Sequence, residues 1–368
     1  MNEEKLYQVA LKFIPGIGDI NAKQLVSYCG SARAIFQSPK SKLQKIPGIG
    51  AKTVNSIVSS KVLDQAEKEI ENCQKKDLKI LFYTDEEYPS RLKLVNDSPI
   101  LLFSKGKSAF NKQKVVGIVG TRKATEYGKS VTEEIVSELA GHEATIVSGL
   151  AYGIDISAHR AALKSGLPTV GVLAGGLDKI YPSSHKKYAD EMQEEGAIVS
   201  EKFLGTVPEA HFFPARNRII AGMSDALVVV EAAEKGGALI TAEIAYSYNR
   251  EVFAVPGDLN NQFSKGCNRL ISMQKANIYS GIADLEYLMN WTKSSNGKQS
   301  AQKVLDLDQL DEESRKVVVV LNEFKTGLQL DELSWKSQLS VNKVASILLN
   351  LEFDGLVKSL PGKKYKLN

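Results

Sequence analysis

Cysteine is scarce in this chain. Cys29, Cys73 and Cys267 are the only three in 368 residues, and they show no Cys-x-x-Cys spacing and have no histidine pair beside them. That excludes a disulfide framework and a structural zinc, and it suits the reducing cytoplasm. Histidine is almost as rare: His142, His159, His185 and His211 stand at no metal-ligand spacing and form no triad legible in the sequence. No apolar run reaches 18 residues and the N-terminus lacks a signal-peptide layout, so the expectation is a soluble, cytoplasmic chain with no membrane partner. A strong net charge is missing too. The total is +4; residues 1–80 hold 13 Lys/Arg against 8 Asp/Glu, whereas residues 112–290 hold 18 against 21. Bulk charge announces no polyanion, so an anion site in the middle of the chain has to be built from local groups.

The length exceeds a single typical core, and two or three domains are expected. Residues 115–122, Val-Val-Gly-Ile-Val-Gly-Thr-Arg, organise them. The short β-branched run reads as a strand buried on both faces, and a helical pattern over 128–140 follows. Gly120, Thr121 and Arg122 therefore close a strand at its carboxyl end, where open α/β sheets bind ligands. Further strands are expected at 145–147, 169–173, 197–200, 226–230 and 251–254, with a short edge at 278–279. Helices are expected at 154–165, 184–194 and 240–248. Such alternation predicts a doubly wound, mostly parallel sheet. Residues 78–111 read as a lead-in packed on its edge.

The first 80 residues carry a repeat. Pro-Gly-Ile-Gly at 15–18 and again at 47–50 is each time followed by a helix. This spacing resembles the helix-hairpin-helix element. Gly16, Gly18, Gly48 and Gly50 would offer backbone amides to a phosphate, with Lys23 and Lys52 assisting, unless the hairpins serve packing alone. Residues 291–304 read as a polar linker. Residues 305–368 show helices at 312–324, 330–334 and 341–354, then a hairpin of 355–359 with 364–367 around 360–363. That is the order of a winged helix, with Lys343 as the one cation on its would-be recognition helix.

Some chemistry is excluded outright. No Gly-x-Gly-x-x-Gly follows the first strand and no acid ends the second, which argues against a dinucleotide site. Gly128-Lys129-Ser130 imitates the end of a P-loop, but Lys123 stands where that loop needs glycine. What the domain offers is a series of polar turns at strand ends. Ser148 and Gly149 open one, ahead of Tyr152-Gly153-Ile154-Asp155. Ala174-Gly175-Gly176 forms another. Phe213, Arg216, Asn217 and Arg218 open a helix, and Lys235-Gly236-Gly237 precedes a further one. Arg122, Arg216 and Arg218 on one rim predict a phosphate site, and His211, Phe212 and Phe213 supply rings for bases. Each feature has a plainer reading: core packing for the phenylalanines, a turn bond for Asn217, a helix cap for Asp155.

Five segments in this order, Val-Gly-Ile-Val-Gly-Thr-Arg (116–122), Ser-Gly-Leu-Ala-Tyr-Gly-Ile-Asp (148–155), Phe-Pro-Ala-Arg-Asn-Arg-Ile-Ile-Ala-Gly (213–222), Gly-Gly-Ala-Leu-Ile-Thr-Ala-Glu (236–243) and Val-Pro-Gly-Asp (255–258), resemble the DNA-processing protein A family, also called DprA or Smf. The resemblance spans nearly the whole chain. It implies a SAM-like helical domain over 1–80, an extended Rossmann-like domain over 81–290 and a winged helix over 305–368. It further implies a homodimer that binds single-stranded DNA without cofactor or turnover and loads the RecA recombinase in natural transformation. Arg122, Phe213, Arg216 and Asn217 carry over as DNA contacts. Two departures stand out. Glu209-Ala210 replaces a lysine present in some members, and Gly266-Cys267-Asn268 varies a Gly-Thr-Asn pattern. The competing class is a nucleotide-binding or nucleoside-monophosphate-cleaving enzyme of a related Rossmann fold, with Glu243 as the acid of the cleaving form.

Overall fold

The computed structural model describes residues 3–59, 61–291, 311–324, 327–353, 356–360 and 364–367. They fall in two compact units, Met1–Ser294 and Ser295–Asn368. The expected linker lies outside the described residues beyond Trp291, as does the turn at 361–363.

The larger unit opens with helices α1 (Glu3–Phe13), α2 (Asp19–Cys29), α3 (Ala32–Gln37), α4 (Lys40–Leu43), α5 (Ala51–Ser59) and α6 (Leu63–Lys75). Both Pro-Gly-Ile-Gly turns are hairpins: Gly16 and Gly48 take φ of +81° and +75°, which side chains rarely adopt. Ile14, Ile46 and Ile49 are buried beneath them. The helices share one apolar core with Phe82, Ile100 and Leu101 of the following segment. Burial of that common surface makes the helical region part of the larger unit rather than a separate globule.

The lead-in contributes strand β1 (Lys79–Phe82), helix α7 (Ser90–Lys93) and strand β2 (Leu101–Gly106). Then β3 (Val115–Val119), α8 (Glu126–Ala140), β4 (Thr145–Ser148), α9 (Ile154–Lys164), β5 (Thr169–Val172), α10 (Lys186–Glu191) and β6 (Ala197–Ser200) alternate. They are followed by α11 (Phe212–Met223), β7 (Ala226–Val229), α12 (Gly237–Ser247), β8 (Glu251–Ala254), α13 (Lys265–Ser272), β9 (Asn277–Ile278) and α14 (Ile282–Met289). The helix expected over 184–194 is shorter, because its two ends tighten into 3-10 turns at Ser183–His185 and Met192–Glu194.

The sheet runs β1-β2-β6-β5-β4-β3-β7-β8-β9. The lead-in strands are antiparallel members of it, and β3 to β9 pair in parallel. Every residue of β3 is buried. Val115 and Val119 join the core on one face, Val116 and Ile118 the core on the other, as a period of two requires. From β3 the chain winds outward through β4, β5 and β6, then returns through α11 to β7 on the opposite side of β3. The crevice between the carboxyl ends of β3 and β7 is thus the topological switch point, where open α/β sheets hold ligands.

The smaller unit contains α15 (Glu312–Glu323), β10 (Leu328–Gln329), α16 (Leu330–Ser337), α17 (Val341–Phe353), β11 (Val357–Leu360) and β12 (Lys364–Leu367), with sheet order β10-β12-β11. Val317, Leu321, Leu333, Val344, Leu348 and Val357 form its core. Helix α16 is longer than its sequence suggests, since a capping box between Gln329 and Glu332 starts it and Gln338 ends it in the left-handed region. Lys343 is bonded to Glu313 of α15, so the one cation of α17 is drawn onto its own unit. No helix among the described residues is long and apolar enough to cross a membrane.

Candidate nucleic-acid interface

A cleft of about 500 Å³ opens at the switch point. The β3 turn supplies Gly120, Thr121 and Arg122; α11 supplies Phe213, Arg216 and Asn217; the turn into α12 supplies Lys235, Gly236 and Gly237. Each wall has a local cause. Thr121 donates its amide to Glu231 O (2.7 Å) and accepts from the Lys123 amide at its hydroxyl (3.2 Å), which fixes the turn. Gly153, at φ +79°, lets the β4–α9 loop close onto that turn, where a Cβ would strike Arg122 Cα at 2.8 Å. Helix α11 tolerates Pro214 because it stands in the first turn, where its amide has no helical acceptor.

The exposed guanidinium of Arg122 sits 5.0 Å from the centre of the half-buried Phe213 ring. No carboxylate among the described residues lies within ion-pair distance of Arg122 or of the exposed Lys235. Asn217, 8% exposed, donates to Gly237 O (3.2 Å) and so ties α11 to the start of α12. The first turn of α12 carries no acid, and Gly236 and Gly237 are exposed there. Its amides and its dipole face the cleft.

The starts of α8 and α9, beside the crevice, are already taken. Buried Glu231 accepts from the amide (3.0 Å) and hydroxyl (2.6 Å) of Thr125, the N-cap of α8. Asp155 is buried, which raises its pKa; Arg216 and the amides of Ala151 and Gly149 oppose that shift. These two internal carboxylates occupy the positions that the sequence suggested for an external anion.

Three expected contacts are therefore corrected. Ser148 is fully buried and donates to Ile118 O (2.6 Å), so it does not reach the cleft. Gly149 does not line the cleft: it lies beneath the guanidinium of Arg216, with its amide directed to Asp155, and borders only the neighbouring recess. Arg218 points away from the rim. It pairs with Glu201 (2.5 Å), just after β6, and with Asp19 (3.3 Å) of the helical region packed there, and it donates to Asp97 O (2.5 Å). Arg216 does line the cleft, but it is only 4% exposed and donates to Val172 O (2.6 Å). Burial lowers its pKa to about 10, with Asp155 acting to raise it and Arg122 to lower it further, so it stays charged at neutral pH. Arg122 and Lys235 are thus the accessible cations of the cleft. Lys235 precedes the Gly-Gly turn in the sequence, where nothing in its spacing distinguishes it from a solvated lysine. Glu243, the candidate acid of the enzymatic alternative, is exposed on α12 outside the cleft lining and bonded to Lys275 (2.7 Å).

The hairpins also differ from each other. Lys23 is turned inward, bonded to Asn96 O (2.9 Å) and Ser98 Oγ (2.5 Å), and Asp19 at the start of α2 accepts from the Ile100 amide (3.0 Å). The first hairpin leaves Gly16 and Gly18 exposed, but the helix after it starts with its own carboxylate and its lysine is taken up internally. The second leaves Gly48, Gly50 and Lys52 exposed, and α5 begins without an acid.

Beneath the site, His159 of α9 is fully buried with Nδ1 2.7 Å from Thr169 Oγ1. Burial, then the neighbouring Arg216 and His185, push its pKa down to about 3. The unfolded imidazole binds its proton near pH 6.5, so the contribution of neutral His159 to stability is complete above that pH and is lost as pH falls toward 3. Acid unfolding followed from pH 7 to pH 4 should lose up to about 1.4 kcal/mol per pH unit through this group. His159→Gln should show a shallower loss; equal slopes would remove the assignment.

Comparison with known proteins places these features in context. A family model described as DNA recombination-mediator protein A matches residues 79–290. The DprA winged helix domain matches 301–363, and a SAM-like helix-hairpin-helix tandem matches 9–60. Protein Smf of Synechocystis sp. is 32% identical over 396 residues, covering 99% of both chains. DNA processing protein DprA of Bacillus subtilis is 42% identical over 198 residues, 54% of this chain and 67% of its own. The X-ray structure of DprA from Streptococcus pneumoniae superposes with a TM-score of 0.67 at 29% identity, covering 80% of this chain and 99% of that one. A structure of DNA processing protein A from Helicobacter pylori, which concerns its single-stranded DNA binding mode, has a TM-score of 0.53 at 31% identity and covers 58% and 97%. Matched from the helical hairpins through the sheet to the winged helix, the chain belongs to the DNA recombination-mediator protein A family of DprA and Smf proteins.

Proposed function

We propose that the switch-point cleft binds single-stranded DNA and that the chain, without catalytic turnover, mediates its hand-over to the RecA recombinase during transformation. One observation carries the reading: Arg122 stands exposed 5.0 Å from the Phe213 ring, at the mouth of a cleft whose only lining acid among the described residues is the buried Asp155. A cation beside an aromatic face holds a phosphate and the unstacked base next to it. A duplex keeps its bases stacked and cannot offer that pair. The Helicobacter pylori relative, studied for its single-stranded DNA binding, supports the same ligand.

Anisotropy titrations of labelled oligo-dT and of a duplex of equal length, over a salt series, test this. Salt-sensitive binding to the single strand, several-fold tighter than to the duplex, is expected. Equal or stronger duplex binding would overturn it. Self-association and RecA delivery are the finer parts of the proposal. Gel filtration with and without oligo-dT reads the first, and RecA filament growth on oligo-dT with and without the chain reads the second.

A further inference from the structure

Beside the cleft, on the far side of Arg122 and Phe213, lies a narrow recess of about 30 Å³ floored by Leu173, Ala174 and Gly175. Two tyrosines stand at its mouth, Tyr152 at 50% and Tyr181 at 54% exposure. Each ring is braced on one side. Tyr152 meets the buried His185 edge-on at 4.9 Å, and His185 is held in turn at Leu150 O (2.9 Å). Tyr181 leans on Phe213 at 6.0 Å. About half of each residue is left in water, so a ring face is open to a flat partner. The charged lining groups are Arg122, Lys179 and Arg216, with no acid among the described residues.

The geometry points to a second nucleobase position in this recess; the inference rests on the proposed single-strand reading of the cleft. The free space is about that of one water molecule, too little for a whole base. It admits a base edge while the ring face lies on Tyr181 and Tyr152. Because Arg122 and Phe213 wall both the cleft and the recess, one strand occupies both. Its phosphate crosses at Arg122, one base takes each side, and Lys179 meets the next phosphate.

The test uses the full chain, oligo-dT and a sugar–phosphate oligomer of the same length lacking bases. Tyr181→Ala should weaken oligo-dT binding by roughly fivefold or more, since stacking on a protein ring is worth about 1–3 kcal/mol per base. The salt dependence should not change, because every cation remains. Wild type and Tyr181→Ala should bind the abasic oligomer alike, and Tyr181→Phe, which keeps the ring, should bind oligo-dT as wild type does. If Tyr181→Ala and the double variant with Tyr152→Ala bind oligo-dT normally while Arg122→Ala does not, the second base position is refuted and the cleft stands. If wild type itself ignores oligo-dT, both fall.

Discussion

Arg122→Ala is expected to weaken oligo-dT binding by roughly ten- to a hundredfold, since a charge-assisted bond to phosphate contributes about 1.5–3 kcal/mol. The expectation follows from exposure and isolation. The guanidinium lies in solvent against Phe213 and is not engaged by an internal acid among the described residues, so its charge is available to a ligand. A second signature separates lost electrostatics from lost shape. Each phosphate contact on a single strand contributes about 0.7 to the slope of log affinity against log salt, and the variant's slope should be shallower by about that amount. The fold should be untouched, because the side chain buries little. Wild-type affinity and slope in the variant would show that the strand lies elsewhere.

Arg218→Ala produces the opposite pattern. This side chain is 15% exposed and faces Glu201, 6% exposed, and Asp19. Removing it takes the nearer cation from the buried Glu201, which keeps Lys202 at 3.4 Å; breaking a buried pair costs about 3–5 kcal/mol where nothing compensates, and Lys202 holds the loss toward the lower end. At the size of this unit that corresponds to a fall in Tm on the order of 10 °C. The salt slope of DNA binding should stay at the wild-type value, since Arg218 does not line the cleft. Measured side by side, the two arginines separate along different axes: Arg122 in binding, Arg218 in melting. A stable Arg218→Ala with a reduced salt slope would return that residue to the DNA rim. Glu201→Gln, which keeps the shape and removes the charge, should reproduce most of the melting loss.

The difference between these arginines explains what could be read without coordinates. Strand positions were legible because burial on both faces leaves an unmistakable β-branched run, as in 115–119, and 197–200 and 251–254 match the observed strands end to end. The switch-point cleft was legible from position along the chain: Gly120, Thr121, Arg122, Phe213, Arg216, Asn217, Gly236 and Gly237 all follow strands or open helices at the carboxyl end of the sheet, and all eight line it. The fates of Ser148, Gly149, Arg218 and Lys23 were not legible. Each depends on a partner remote in sequence, namely Ile118, Arg216, Glu201 with Asp19, and the loop at Asn96 to Ser98.

The amino-acid order by itself determined the parallel sheet, the paired helical hairpins, the winged helix and the turns that line the cleft at the sheet's carboxyl end. Periodicity, turn chemistry and strand order are local properties, and local spacing encodes them. Tertiary structure alone decided which charges are available. Glu231, Asp155, Asp19 and Glu201 each reach a helix start or a cation from elsewhere in the fold, neutralising sites that look open in one dimension. A side chain's charge is set by its type, but its freedom to meet a ligand is set by what packs against it.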